Sequence, residues 1–230
     1  LADILIVDDD MTTNKAEAEK FKAEAEFYKA QATMFGFQAE QEKIKLERLQ
    51  RDDAREVALN LTNRVYDFPM EVTESYCESA IQTLSMWARM SSDPITVRLT
   101  SPGGDIIRGL ALHDAILGIR QRYSIYVTCV ALGMAASMAA VLLQAGSKRI
   151  VGPNAYILVH EAEAFSMGTV SQLEDESKFI RKLNDRLYDI LASRAKIKRS
   201  EIVTKARRKD WWIDAQECVE FGLADEIGGV

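Results

Sequence analysis

From about Leu61 to the C-terminus, short runs rich in β-branched and aromatic residues alternate with longer stretches of helical periodicity. A chain with this alternation is restricted to α/β architectures with a largely parallel sheet, because each crossover between parallel strands needs a helix to make it. Arg64–Val72 reads as an edge strand, since Pro69 cannot donate to a ladder on both sides. Glu74–Met90 and Ile106–Arg120 read as helices. Ile95–Leu99, Ser124–Ala131 and Ala155–His160 read as strands, Ser137–Ala145 as a helix of small residues, and Thr169–Lys196 and Ser200–Arg208 as helices.

The first part of the chain follows another pattern. Between Asn14 and about Leu61 there is no proline and one glycine, Gly36, and Ala, Glu, Lys and Gln dominate. Local propensity therefore favours one or two long helices. Phe21, Ala25, Tyr28, Ala32, Phe35, Ala39, Glu42, Leu46 and Leu49 alternate spacings of four and three, as the seam of a coiled coil does. The alanines make that seam thin and Glu42 interrupts it, so a helix lying on its own domain is the competing reading. Residues 1–58 hold 9 Lys/Arg and 14 Asp/Glu, a balance of −5 out of −6 for the chain. Two domains are expected: an acidic helical arm over 1–58 and an α/β domain over 59–230.

The acidic balance argues against nucleic acid as the main partner. No run of apolar residues reaches the length of a membrane span, and Leu1–Asp10 has neither a basic start nor a small-residue cleavage site, so a cytoplasmic protein without a membrane partner is expected. Cys77, Cys129 and Cys218 are odd in number and far apart, which fits buried thiols better than disulfides or a zinc site.

Three places could carry chemistry. The chain has two histidines, and His160 closes the apolar run Tyr156–Val159, at a strand end, where side chains of α/β folds meet a crevice; His113 lies mid-helix beside Asp114 and reads as structural or as a surface residue. Ser137 follows a strand within Gly133-Met134-Ala135-Ala136-Ser137-Met138-Ala139-Ala140. Small neighbours would let a substrate backbone approach a nucleophile there, and an N-cap on a tightly packed helix is the alternative. Ser101-Pro102-Gly103-Gly104 also follows a strand and opens a helix, and its glycines could aim an amide at a developing oxyanion or simply make a turn. No phosphate-cradling glycine element is present.

Taken in order, SPGGDIIRGLALHDAI, GMAASMAAVLLQAG, YILVHEAE and DAQECVEFGLADEI resemble the proteolytic subunit of the Clp protease over roughly residues 61–230. The resemblance implies a crotonase-type fold of repeated ββα units and a serine endopeptidase acting on polypeptides inside a homo-oligomeric ring, typically heptameric and often stacked in pairs, with a ring ATPase as partner. It places the nucleophile on Ser137, the base on His160 and the acid on Asp210, with Asp214 as a rival for the acid. The oxyanion amides fall on Gly104 and Met138. No metal, nucleotide or other cofactor is implied at the site.

The chain departs from the family pattern in two places. Glu161-Ala162-Glu163-Ala164 stands where the family usually has Gln-Pro and a glycine-rich stretch, beside the substrate cleft. The arm stands where a short pore loop would engage the ATPase. These departures keep two alternatives open: a catalytically silent ring or assembly subunit, and a phage head-maturation protease whose arm resembles a scaffold segment.

Overall fold

The computed structural model describes residues 63–163 and 167–229, together with 19, 20, 22, 23, 25–27, 29, 31, 33–36 and 40–45 of the first part. The chain divides into two units, Leu1–Ala58 and Leu59–Val230. In the first unit the described residues are helical and exposed, including Ala25, Phe35 and Glu42 of the expected seam. Phe21, Tyr28, Ala32, Ala39, Leu46 and Leu49 lie outside the described residues.

The second unit opens with two strand–strand–helix repeats. β1 (Val65–Phe68), β2 (Glu71–Val72) and α1 (Glu74–Met90) form the first, and β3 (Ile95–Ser101), β4 (Gly103–Gly104) and α2 (Ile106–Tyr123) the second. The leading strands β1 and β3 pair in parallel in the large sheet, while β2 and β4 pair in parallel in a separate two-stranded ribbon. Pro69 and Met70 break what reads in the sequence as one strand, Arg64–Val72, into these two pieces. Both helices start on side-chain caps, Thr73 accepting from Tyr76 N and Asp105 accepting from Arg108 N at 2.9 Å.

β5 (Val127–Ala136) is the centre of the sheet. It pairs with β3 on one side, and on the other first with β6 (Lys148–Val151) and then with β7 (Tyr156–Val159). Sequence periodicity ends this strand at Ala131, yet it continues through Gly133, whose φ of 65° lets the chain turn out of one pairing and into the next. The register against β3 shifts at the same level, between Leu99 and Ser101. α3 (Met138–Leu143) follows at once and is buried at all six positions, which is why its sequence is apolar on every face.

The long helix α4 (Val170–Ala192) and the shorter α5 (Arg199–Ala206) lead into β8 (Trp211–Ile213), α6 (Ala215–Glu220) and β9 (Glu226–Ile227). β8 is the one antiparallel member of the sheet, pairing with β7; β9 pairs in parallel with β6. Arg149 of β6, 3% exposed, anchors this end. Its guanidinium donates to Asp225 Oδ1 at 2.6 Å, Gln144 Oε1 at 2.7 Å and the Gly222 carbonyl at 2.8 Å. Without those acceptors the buried charge would have no partners. Among the described residues no helix is long and apolar enough to cross a membrane.

Candidate active site

Ser137 sits between the end of β5 and the start of α3 with φ 56° and ψ −122°. A β-carbon in this region of backbone space costs about 1–3 kcal/mol, so the surrounding structure must hold it there. The Ser137 amide donates to the Leu158 carbonyl at 2.8 Å, tying the turn to β7. Its hydroxyl makes no capping bond to α3, so the N-cap reading of this serine has no geometric support. A strained serine on a sharp strand-to-helix turn is how an α/β protein lifts an Oγ clear of its own backbone.

The glycine loop is fitted against this turn. Gly103 has φ 100°, and a Cβ on it would lie 2.7 Å from the Ala136 carbonyl oxygen, 2.7 Å from Ser137 Cβ and 3.0 Å from the Met138 amide nitrogen. Gly104, φ 146°, lies against Val72 with no room for a side chain. Gly109, one turn into α2, leaves the space that the Met138 side chain fills. Gly103 thus sets the 103–104 loop against the Ser137–Met138 peptide, the neighbourhood expected to supply the oxyanion amides.

The β7–β8 ladder brings in the rest. Ile157 pairs with Ile213, Leu158 with Trp212 and Val159 with Trp211. One step further along the same antiparallel register, His160 stands opposite Asp210, and Nδ1 is 3.9 Å from Asp210 Oδ1. Glu163 Oε1 lies at 4.0 Å from the same nitrogen. Asp214 is occupied elsewhere: it caps α6, accepting from Glu217 N at 2.9 Å, while Glu217 accepts from its backbone in return. Glu161 turns away from His160 and accepts the Arg208 backbone N–H at 2.9 Å. Arg208 has φ 57°, so Glu161 closes the bend two residues ahead of Asp210.

Ser137, His160 and Gly104 line one cleft of about 610 Å³, with Ile106 and Ile107 of α2 on one side and Phe179 of α4 on another. A smaller pocket of about 20 Å³ opens beside the same serine and histidine, lined by Val141, Leu187 and Tyr188 among others. No group of three or more metal-ligating side chains occurs among the described residues. The thiols lie elsewhere in the core: burial pushes Cys77 up to about 11, and Cys129 and Cys218 up to about 12. His113 is buried in α2 beside Asp114, and burial lowers its pKa. Sequence reasoning does not find Glu161 as a clasp or Tyr188 as a pocket residue. The clasp depends on which strand β7 pairs with, and Tyr188 has the sequence surroundings of any aromatic in a long helix.

A mostly parallel sheet thus brings a strained serine, a histidine and a facing carboxylate together at strand ends, an arrangement of the kind that nucleophile-type hydrolases use. The family model for Clp protease matches residues 54–230, and the chain belongs to that family. It is similar to the ATP-dependent Clp protease proteolytic subunit of Bacteroides thetaiotaomicron, 36% identical over 142 residues that cover 60% of this chain and 62% of the relative. It is 37% identical over 137 residues to the ATP-dependent Clp protease proteolytic subunit 2 of Tropheryma whipplei, covering 59% of this chain and 73% of that one. With the subunit from Dehalococcoides mccartyi, strain BAV1, it shares 35% identity over 173 residues, 74% of this chain and 84% of the relative. The matched region therefore spans less than two thirds of the Bacteroides relative's length.

Proposed function

We propose that the chain is a serine endopeptidase that hydrolyses peptide bonds through Ser137, His160 and Asp210 within a homo-oligomeric ring. The observation that carries this reading is the strained Ser137 sharing a cleft with His160, whose ring faces Asp210 across the continued β7–β8 register. Membership of the Clp protease family supports it, and the relatives named as proteolytic subunits supply the substrate class.

In this reading His160 takes the Ser137 proton as Oγ attacks the substrate carbonyl. The oxyanion is received by the Gly104 and Met138 amides. Collapse of the tetrahedral species breaks the C–N bond, and the departing amine takes the proton from His160. Water, deprotonated by His160 in turn, hydrolyses the acyl ester and restores the serine. Asp210 orients the imidazole and stabilises its charged form. The 3.9 Å separation is longer than a hydrogen bond, so this reading requires it to shorten when substrate fills the cleft.

The test is intact-mass measurement after treatment with a fluorophosphonate. One adduct is expected on the wild type and none on Ser137→Ala or His160→Ala. The high thiol pKa values keep the cysteines protonated at pH 7.5, so native protein should also resist iodoacetamide and the adduct is assignable to serine. The wide His160–Asp210 spacing and the exposure of Asp210 favour one second reading, a catalytically silent assembly subunit. A folded, oligomeric wild type that takes up no adduct selects it.

A further inference from the structure

Four carboxylates sit on the two segments that meet at His160, 161–163 and 210–214. Two of them are committed elsewhere: Asp214 caps α6 and Glu161 accepts the Arg208 amide. The other two face the imidazole. Asp210 Oδ1 lies 3.9 Å from Nδ1, and Glu163 Oε1 lies 4.0 Å from the same nitrogen. No other hydrogen bond or ion pair engages either carboxylate among the described residues. They arrive from different elements, Asp210 just ahead of β8 and Glu163 after β7, three residues on from the histidine. Beside Glu163 the Ala162 amide donates to Asn184 Oδ1 of α4 at 2.8 Å, which ties that backbone to the long helix. Glu163 also lines the cleft that holds Ser137. It falls in the stretch Glu161–Ala164, where the sequence leaves the family pattern, so the resemblance assigns it no role.

We propose that Glu163 is a positioning residue for His160, sharing with Asp210 the task of holding the Nδ1 proton in place and stabilising the imidazolium. The inference rests on the serine-peptidase reading and adds a residue to it. With Nε2 turned to the serine, the neutral ring carries its proton on Nδ1, and that single N–H donates to one carboxylate at a time. At 3.9 and 4.0 Å each acceptor is about 1 Å beyond an ordinary hydrogen bond, so the geometry does not reserve the proton for either. The charge that the ring gains during attack acts on both carboxylates at once. Glu163 is the more exposed side chain, 89% against 60%, so water screens its share more strongly and Asp210 leads. A peptide lying in the cleft would cover Glu163 and reduce that screening. The proton stays on the imidazole throughout.

The test measures the rate constant for fluorophosphonate labelling of Ser137 in the full chain, which needs an activated serine and no natural substrate. It compares the wild type, Glu163→Gln, Asp210→Asn and the double variant. Glutamine keeps the shape and an acceptor oxygen and removes only the charge, so a merely structural role for Glu163 would survive it. With Asp210 present, Glu163→Gln should slow labelling about threefold. Without Asp210 the Glu163 carboxylate alone sets the tautomer, and the same change should slow labelling about thirtyfold further. Asp210→Ala, which brings no amide to misplace the proton, should repeat that pattern. Both side chains are mostly exposed, so far-UV circular dichroism should be unchanged in every variant. A Glu163→Gln factor no larger without Asp210 than with it overturns the inference and leaves Asp210 as the acid. So does an Asp210→Asn or Asp210→Ala variant that already labels no faster than His160→Ala. A folded wild type that the fluorophosphonate never labels removes the peptidase reading, and the inference with it.

Discussion

At the scale of single residues, the site depends on a carboxylate that does no chemistry. Glu161 follows the proposed base and clasps the Arg208 amide at 2.9 Å, which fixes the left-handed bend from which the chain enters Asp210. In the proposed mechanism it would be a positioning residue acting through Asp210. Glu161→Ala should lower kcat about tenfold with KM little changed, and Glu161→Gln should restore it, since an amide oxygen accepts the same N–H. In an Asp210→Asn background Glu161→Ala should cost nothing further, because residues that act as one unit are not additive. Additive losses in the double variant, or no rescue by glutamine, would mean that Glu161 only supports the fold. Local pattern marks Ser137, His160 and the glycine loop only as candidates, each with a structural reading beside it, and the family resemblance is what assigns their roles. Asp210 is reachable by counting back along DAQECVEFGLADEI, but its place opposite His160 follows from a strand pairing between segments some fifty residues apart, which no local pattern encodes.

At the scale of elements, the helices are the most legible, as their caps and apolar stripes are written locally: Thr73, Asp105 and Thr169 each stand where a helix begins. β6, β8 and β9 are missed because they are two to four residues long, and β6 and β9 also carry Lys148, Arg149 and Glu226. What holds β6 and β9 together is polar. Burial alone would raise the Asp225 pKa, but its bonds to Arg149 outweigh that and hold it below the ordinary 3.8. Asp225→Ala leaves Arg149 buried without its one charged partner and should cost about 3 kcal/mol in urea unfolding. The pH dependence has one sign. A depressed carboxylate contributes stability that is complete above 3.8 and lost as pH falls through the folded value. His113, lowered below 6.5 by burial, also resists taking a proton in the folded state, so its contribution starts to erode once pH falls below 6.5. Stability measured from pH 7.5 down to 2.5 should therefore decline on the acid side, with the upper part of the decline, below 6.5, absent in His113→Gln. An unchanged profile in that variant would remove histidine from the account.

At the scale of the whole molecule, the 59–230 unit leaves apolar residues of its longest helix uncovered. The core reaches α4 only through Leu187, Tyr188, Ile190 and Leu191, all in its last two turns. The helix continues for some four turns before them, and that length exposes Val170, Leu173 and Phe179, the first of them 73% accessible. Propensity alone leaves so long a polar helix marginal, and apolar residues at such spacings are seldom left in water by an ordered helix. Burial against a second copy of the chain accounts for both the length and the pattern, and it is what the proposed ring would provide. Sedimentation velocity at micromolar concentration should then show a species several times heavier than 25.8 kDa. Val170→Glu with Leu173→Glu, which places two carboxylates on that face without touching the core, should shift the distribution towards smaller species while far-UV circular dichroism is retained. A wild type that sediments as a monomer throughout would overturn the ring. A double variant that assembles like the wild type would move the contact between copies away from α4, and the exposed half of the helix would then need another explanation.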